Sequence, residues 1–598
     1  MRNFAPLKTM RPQAQGRLSH VPAWPILSAR ASTNIKQSMK ATRHVLLALL
    51  ALFTLVTFFA NIGALPTDIM EQRNVVTARE MVDDGCWLVP TMNGALRLEK
   101  PPLPTWVAGA IEAVAPGSLS TQRLAAGTMG CLWTWFLFLT ARLLARRTDY
   151  AMVATVVFLT CYNTVLMGRS ATWDIYCHAL MMGAIYLLLR ALMEERGYRW
   201  QLPLAGLLMG LSFLSKGPVS FYALLLPLVL SIVTLPSVSM RGKWPYVALM
   251  AVVAVVVGGW WYAYLLLVHG DAVSAVMAKE SGAWSNHNVR PWWYYWRFFL
   301  EMGAWALPAL AALALTYWKH HITLKRTYLI TFCWAVGSLL LLSLMPEKKM
   351  RYLLPSLAPC AMLVACVMTH LKEACATGRV DPLGRALYGA QGVLLTIVIT
   401  AAAVALFVVP AAAVISLAAR VVAAVALGVT AVLTVWATLK RKPMVQVAAV
   451  ALVFATAELL LLPAITRAVG NPASRNIILT VGTPQAKALP LYHAQDTPIR
   501  IELVYNAQRK ILPINLNDTA NVRAHLPLAL VIPASQTERV PATVMAVADT
   551  TVMGHYDINL HPKGNRHYTD DLRGRVLRLT AKGGNAGRRA PQPTSNDQ

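Results

Sequence analysis

Charge is scarce in this chain: Asp, Glu, Lys and Arg make up 14% of its 598 residues, too few for an ordinary soluble protein of that length. Cysteine is scarce too, at eight residues with no CxxC pair. Most of these, such as Cys131, Cys161, Cys333 and Cys366, sit inside apolar runs, so neither a disulfide framework nor a zinc knuckle is expected. No GxxxxGK[ST] loop is present to cradle a nucleotide's phosphates. No internal repeat stands out, which argues against a secondary transporter built from duplicated halves. The small-residue cleavage pattern of a signal peptide is missing near the start.

What the chain has in abundance is hydrophobic residues, 56% of the total, gathered in repeated runs of about 18 residues or more. This composition reads as a polytopic α-helical membrane protein. Lys and Arg total 55 against 27 acidic residues. The basic residues lie in short loops between apolar runs rather than in one aromatic-studded stripe, the pattern of membrane topology and not of nucleic-acid binding.

The runs divide the chain into four parts: a basic disordered cytosolic tail at 1–43, a transmembrane domain at 44–467, a soluble outer domain at 468–582 and a disordered tail at 583–598. Met39 is a second candidate start. About thirteen spans are expected, among them Tyr150 to Met167, Leu202 to Leu214, Val219 to Leu235 and Phe299 to Trp318. Leu103 to Ala115 is too short to cross and is expected in the interface, as part of the first outer loop. With the N-terminus inside, that count keeps every basic loop, from Arg142/Arg146/Arg147 to Lys440/Arg441/Lys442, on the cytoplasmic side. All the chemically unusual polar stretches then share the opposite face. After Pro463, segments such as IELVY, LALVIPA, TVMAVA and RVLRLTA alternate with turns, the pattern of a small α/β or mostly β domain.

On that outer face TDIMEQRN supplies Asp68, Glu71 and Arg73. A carboxylate here suits a general base toward an acceptor hydroxyl. It equally suits a capped interfacial helix with acids in its first turn. In RLEKPP, Lys100 holds an ammonium at the membrane surface, suited to a lipid phosphate, while the prolines end any helix and fix the chain's path. Snorkelling accounts for the lysine but leaves Glu99 and the two prolines unexplained. MGRSATWD carries Arg169 and Asp174, either as site residues or as an ion pair closing a turn. SKGP puts Lys216 near the membrane plane. EKKMRYLLP adds Lys348, Lys349, Arg351 and Tyr352 where positive charge is disfavoured, and such a cluster wants an anion, most simply a phosphate. The loop SNHNVRPWWYYW offers His287 and Arg290 before an aromatic belt. Glu99 and His287 permit a divalent metal without demanding one. Deeper in the membrane, Arg420 and Glu458 lie at similar depth and are expected to neutralise each other.

Taken together, the acidic element after the first span, WLVPTMNGALRLEKPPLPTW, the Arg and Asp before a later span, SKGP and KKMRYLLP resemble the GT-C glycosyltransferases, a fold class of membrane enzymes. The resemblance is to the protein O-mannosyltransferase-like and lipid A aminoarabinose transferase (ArnT) families, and covers roughly residues 45 to 370. It implies a polyprenyl-phosphate-linked sugar donor and inverting transfer on the periplasmic side of the inner membrane. The implied acceptor is lipid A, another glycan or a protein. By motif, Lys100, Lys216, Arg351 and Tyr352 would surround the donor phosphate, with Lys349 beside them. Asp174 and Glu99 would be acidic site residues. The family usually shows adjacent Asp and Glu near the start, but this chain has Met70 beside Glu71, so the base is either Asp68 or Glu71. The alternative reading is a lipid or sugar transporter or flippase without transferase chemistry, which would place ionisable residues along the bilayer midplane.

Overall fold

The structure, a computed structural model, describes residues 24–233, 238–536 and 540–582. The chain forms two compact units, residues 1–52 and 53–598, and every element below except the start of the first helix belongs to the second. That helix, α1, spans Trp24–Phe59 and so begins well upstream of the apolar run. No proline or glycine interrupts it between Ile26 and Ile62, and nothing else local stops a helix there. This corrects the expectation of an unstructured segment up to residue 43, of which residues 1–23 lie outside the described residues. The expected tail at 583–598 lies outside them too.

Nine helices among the described residues are long and apolar enough to cross a membrane, or ten if one bent pair is counted as a span. The chain is a helical polytopic membrane protein. The bent pair is α5 (Thr148–Leu159) and α6 (Tyr162–Gly168), turned by 73° where a single span from Tyr150 to Met167 is expected. At the break, Thr160 Oγ1 donates back to Val156 O at 2.8 Å and accepts from Trp305 Nε1 at 2.7 Å. A hydroxyl inserted in this way competes with the helix's own ladder and bends it. The other three expected spans fall short by length or apolarity. Leu202 to Leu214 lies within the charged-ended helix Tyr198–Lys216. Phe221–Ile232 is a shorter apolar helix. Phe299 to Trp318 is broken at Gly303, whose φ of 56° ends a helical turn.

Between α1 and the next long helix lies a compact polar layer: α2 (Ile69–Asp83), the two-residue strands β1 (Thr91–Met92) and β2 (Ala95–Leu96), and α3 (Leu103–Val114). Asn93 and Gly94, both with positive φ, make the hairpin's turn, as such a pair is suited to do. Then follow α4 (Leu119–Ala145), α5, α6, α7 (Trp173–Met193) and α8 (Tyr198–Lys216). A π-helical turn at Phe221–Leu225 leads into α9 (Leu226–Val233). Next come α10 (Trp244–Val268) and α11 (Gly270–Asn286). Helix α7 is buried over most of its length, so its first turn is held by neighbours on several sides.

The C-terminal region folds as a five-stranded sheet in the order β4-β3-β5-β7-β6. Its strands are β3 (Leu491–Ala494), β4 (Leu512–Ile514), β5 (Leu528–Pro533), β6 (Ala548–Asp557) and β7 (Arg573–Ala581). β3 runs parallel to β4 and β5, while β7 is antiparallel to both β5 and β6. The segment IELVY, strand-like by composition, forms the helix Ile501–Ala507. A parallel β3-to-β4 connection requires a crossover, and that topological demand overrides local propensity. Val76 of α2 is buried in the same apolar cluster as Leu491, Leu503, Val504 and Val531. The polar layer and the sheet therefore share a core.

Candidate active site

Helix α2 shows what holds the polar layer together. Asp68 is its N-cap, Oδ1 accepting from the backbone N–H of Met70 at 2.7 Å and of Glu71 at 2.8 Å, which satisfies otherwise orphaned donors. Glu71 is fully buried and paired with Arg123 of α4: Arg123 Nε donates to Oε1 at 2.8 Å and Nη2 to Oε2 at 2.7 Å. Ala171 N also donates to Oε1, at 2.9 Å. The rest of Arg123 is occupied by the carbonyls of Ile62 and Leu65. Sequence reasoning missed Arg123, and only its position as a charge within an apolar helix signals it. A base needs an open lone pair beside the proton it takes. Both oxygens of Glu71 are taken up by Arg123 and Ala171 N, whereas the cap uses only Oδ1 of Asp68, so of the two carboxylates expected as the base Asp68 is the less engaged.

Further along α2, Glu80 binds the hairpin: Thr91 Oγ1 donates at 2.7 Å and Gly94 N at 3.1 Å to Oε2, and Asn93 N donates to Oε1. Arg97, just past β2, donates from Nη1 to Arg73 O at 2.6 Å and Thr77 Oγ1 at 2.8 Å. Its guanidinium also lies 4.9 Å from the Trp173 ring centroid. Burial lowers its pKa to about 10. Arg73 contributes its carbonyl to this arrangement, while its Nε is buried with no hydrogen-bond partner.

Arg169 lies in the turn before α7 and Asp174 in the first turn of α7, and the two are not a pair. Arg169 donates to Val56 O at 3.1 Å and to Ala60 O, closing the end of α1, and stands 3.9 Å from Glu458. The expected Arg420–Glu458 pair is likewise absent: the Arg420 guanidinium lies 5.9 Å from the Phe407 ring centroid. Glu458 instead lies beside the end of α1, where Asn61 Nδ2 donates to its backbone carbonyl at 2.7 Å. Asp174 instead accepts from Lys216 Nζ, at the end of α8.

Lys216 opens onto a cavity of about 450 Å³. One end is polar, with Glu99, Lys100, Lys216, Glu280, Glu347 and Tyr352; the walls from α10 and α11 are apolar, with Leu265, Leu266, Val273, Val276 and Met277. The prolines after Lys100 put its side chain into this space, 3.9 Å from Glu280. Glu99 turns to Lys279 at 3.7 Å. Burial pushes the Lys100 ammonium below its ordinary pKa, because little solvent remains to stabilise its charge. The Tyr352 ring is flanked by three cations: Lys216 Nζ at 5.4 Å, Lys349 Nζ at 5.7 Å and the Arg351 guanidinium at 5.9 Å from its centroid. Lys349 bonds Glu347 at 2.5 Å, and Arg351 Nε is buried with no hydrogen-bond partner. Lys348 faces away, donating to Arg290 O at 3.2 Å and to Met345 O.

The cavity thus brings together Lys100, Lys216, Tyr352 and Glu99, with Lys349, Arg351 and Asp174 adjoining, but leaves out Asp68 and Glu71. His287 is exposed, 3.6 Å from Glu347, and is not joined to Glu99. Among the described residues no three His, Cys, Asp or Glu side chains gather as a metal site would require. Glu280, Glu347, Tyr222, Tyr262 and Tyr295 line the cavity without having been singled out in the sequence. Nothing in their local sequence distinguishes them from interfacial residues.

Residues 99–262 match the family described as dolichyl-phosphate-mannose-protein mannosyltransferase. The undecaprenyl phosphate-alpha-4-amino-4-deoxy-L-arabinose arabinosyl transferase of Pectobacterium atrosepticum is 28% identical over 323 residues, 50% of this chain and 55% of that protein. A protein of the same description from Sodalis glossinidius is 26% identical over 339 residues, 53% of this chain and 58% of the relative. The chain thus spans little more than half the length of the curated relatives it matches. The crystal structure of ArnT from Cupriavidus metallidurans bound to undecaprenyl phosphate superimposes with a TM-score of 0.64 at 17% identity, covering 90% of this chain and 97% of that one. Its apo form gives 0.62 at 16% identity. The present chain shares that fold.

Proposed function

We propose that this chain is a membrane glycosyltransferase that moves a sugar from a polyprenyl-phosphate donor to lipid A, another glycan or a protein, with inversion at the anomeric carbon. The observation that carries this reading is the cavity. Apolar walls from α10 and α11 suit a polyprenyl chain, and two lysines at the polar end suit its phosphate. Relatives described as undecaprenyl-phosphate aminoarabinose transferases support the donor class. The positive-inside pattern supports an inner-membrane protein of about thirteen spans, with the N-terminus cytoplasmic. It also supports a periplasmic face carrying the cavity and the C-terminal region at 468–582.

In this reading an acceptor oxygen attacks the anomeric carbon as the bond from that carbon to the phosphate oxygen breaks. Polyprenyl phosphate departs with the bonding electrons. Lys100 and Lys216 stabilise the negative charge gathering on it, with Arg351, Lys349 and Tyr352 supporting them from the adjoining wall. Asp174 orients Lys216 and exchanges it with the phosphate as the donor enters. If the acceptor is a hydroxyl, its proton needs a base. Glu99 suits that role best, because it lines the cavity and its nearest cation, Lys279, is an exposed lysine 3.7 Å away. A phosphate acceptor is already anionic and needs no base. The test is transfer from a polyprenyl-phosphate sugar by purified protein carrying Lys100→Ala or Lys216→Gln. Both are expected to lose most of their transfer; full activity in both would overturn the assignment.

A further inference from the structure

The string PTMNGALRLEK contains a feature that a transfer reaction does not explain. Asn93 occupies a turn position at φ 54°, where glycine serves as well, yet its side chain is fully engaged at a distance. Asn93 Nδ2 donates to Ile511 O at 2.7 Å, and Ile511 N donates to Asn93 Oδ1 at 2.8 Å. The amide thereby pairs with the backbone just before β4, in the way a neighbouring strand would. Around that pair, Gly94 leaves space that a Cβ would fill at 3.2 Å from the Leu512 side chain. Lys510 bonds Asp84 at the end of α2. Met92 and Val76 pack on the sheet region's apolar cluster. Contacts of four kinds therefore join the C-terminal region to α2 and its hairpin.

That unit is also stiff toward the cavity. Glu80 fastens the hairpin to α2, Arg97 fastens the outgoing chain to α2, and Lys100 follows three residues later at the polar end. We infer that the C-terminal α/β region is a positioning element for the donor-phosphate site, acting through Asn93 and the Asp84–Lys510 pair to fix the segment that presents Lys100. This rests on the reading of Lys100 as a phosphate ligand. The region is then not an appendage, and Asn93 is a positioning residue that touches no substrate.

The test uses the full chain in detergent or nanodiscs, with binding of undecaprenyl phosphate and transfer kinetics as readouts. Asn93→Gly deletes both hydrogen bonds while keeping the positive φ free of strain. It is expected to weaken undecaprenyl phosphate binding and raise the half-saturating donor concentration by about tenfold, with maximal rate within about twofold. Lys510→Asp should produce a smaller loss, restored by the exchanged pair Lys510→Asp/Asp84→Lys, whereas a general loss of folding would not be rescued by the exchange. Hydrogen exchange of residues 91–97 reads the clamp without reference to activity, and should accelerate in Asn93→Gly. Unchanged exchange together with unchanged phosphate binding overturns the inference. If exchange accelerates and Lys100→Ala leaves phosphate binding intact, the phosphate reading fails and the functional inference fails with it. If exchange accelerates and only Lys100→Ala weakens binding, the positioning role alone is overturned.

Discussion

The α2 layer and the cavity beside it are built from the same residue types in opposite ways. In the layer the buried carboxylates of α2 are consumed, Glu71 by Arg123 and Ala171 N and Glu80 by the hairpin, while Asp68 caps the helix through Oδ1. In the cavity Lys216 is held by the buried Asp174 and Lys349 by Glu347, but the two pairs that reach in from α11 are loose. Lys100 and Glu280 are separated by 3.9 Å, and Lys279 and Glu99 by 3.7 Å. A buried pair with complete hydrogen bonding resists exchange, since separating it strands a charge. A loose, partly hydrated pair yields readily to a ligand of higher charge. The two regions thus divide the work between holding the backbone and receiving an anion.

The largest expected effect tests the sealed side of this contrast. Glu71→Ala leaves Arg123 buried without its partner and should cost about 3–5 kcal/mol of stability, read as a fall in thermal midpoint and in yield of folded protein. Next, Lys216→Gln should keep the fold while lowering transfer by about 100-fold, the scale of losing one electrostatic contact to a leaving group. A stability loss as large as that of Glu71→Ala would show the two regions to be alike. Lys100→Ala should weaken polyprenyl phosphate binding by about tenfold. Because burial holds the Lys100 ammonium below its ordinary pKa, its positive charge is present at lower pH and lost as pH rises through that depressed value. Phosphate binding should therefore fall on the alkaline side earlier than for an ordinary lysine, and Lys100→Arg should move that limb to higher pH. The smallest effect belongs to Asp68→Ala, which should cost about 1 kcal/mol of stability through the lost cap with turnover per folded molecule unchanged. A turnover loss far beyond the folded fraction would return Asp68 to the chemistry.

Several residues that line the cavity, Glu99, Lys100, Lys216 and Tyr352, were legible along the chain because their signals are local. Two prolines after Lys100, a lysine in a tight SKGP turn and cations on a disfavoured face each break an expected pattern within a few residues. The choice of carboxylate was not legible. Asp68, Glu71 and Asp174 are alike as residue types, and what separates them is a partner 52 residues away for Glu71 and 42 residues away for Asp174. The same limit accounts for Glu458, whose proximity to Arg169 was not readable. In the spans, hydropathy located the apolar runs, while the bend at Thr160 depends on Trp305, whose side chain arrives from another part of the fold.

By itself the sequence determined a membrane-embedded helical chain, a short apolar segment at Leu103, a change to a folded region after the last span and a cluster of cations within a few residues of Tyr352. These follow from composition and period, which act through solvent and need no partner. Tertiary structure alone decided which carboxylate is sealed, which lysine meets an aspartate, and that the hairpin's asparagine reaches across to Ile511. Those outcomes depend on side chains brought together from distant segments, and a hydrogen bond of about 3 Å is satisfied or lost over displacements too small for any local pattern to encode.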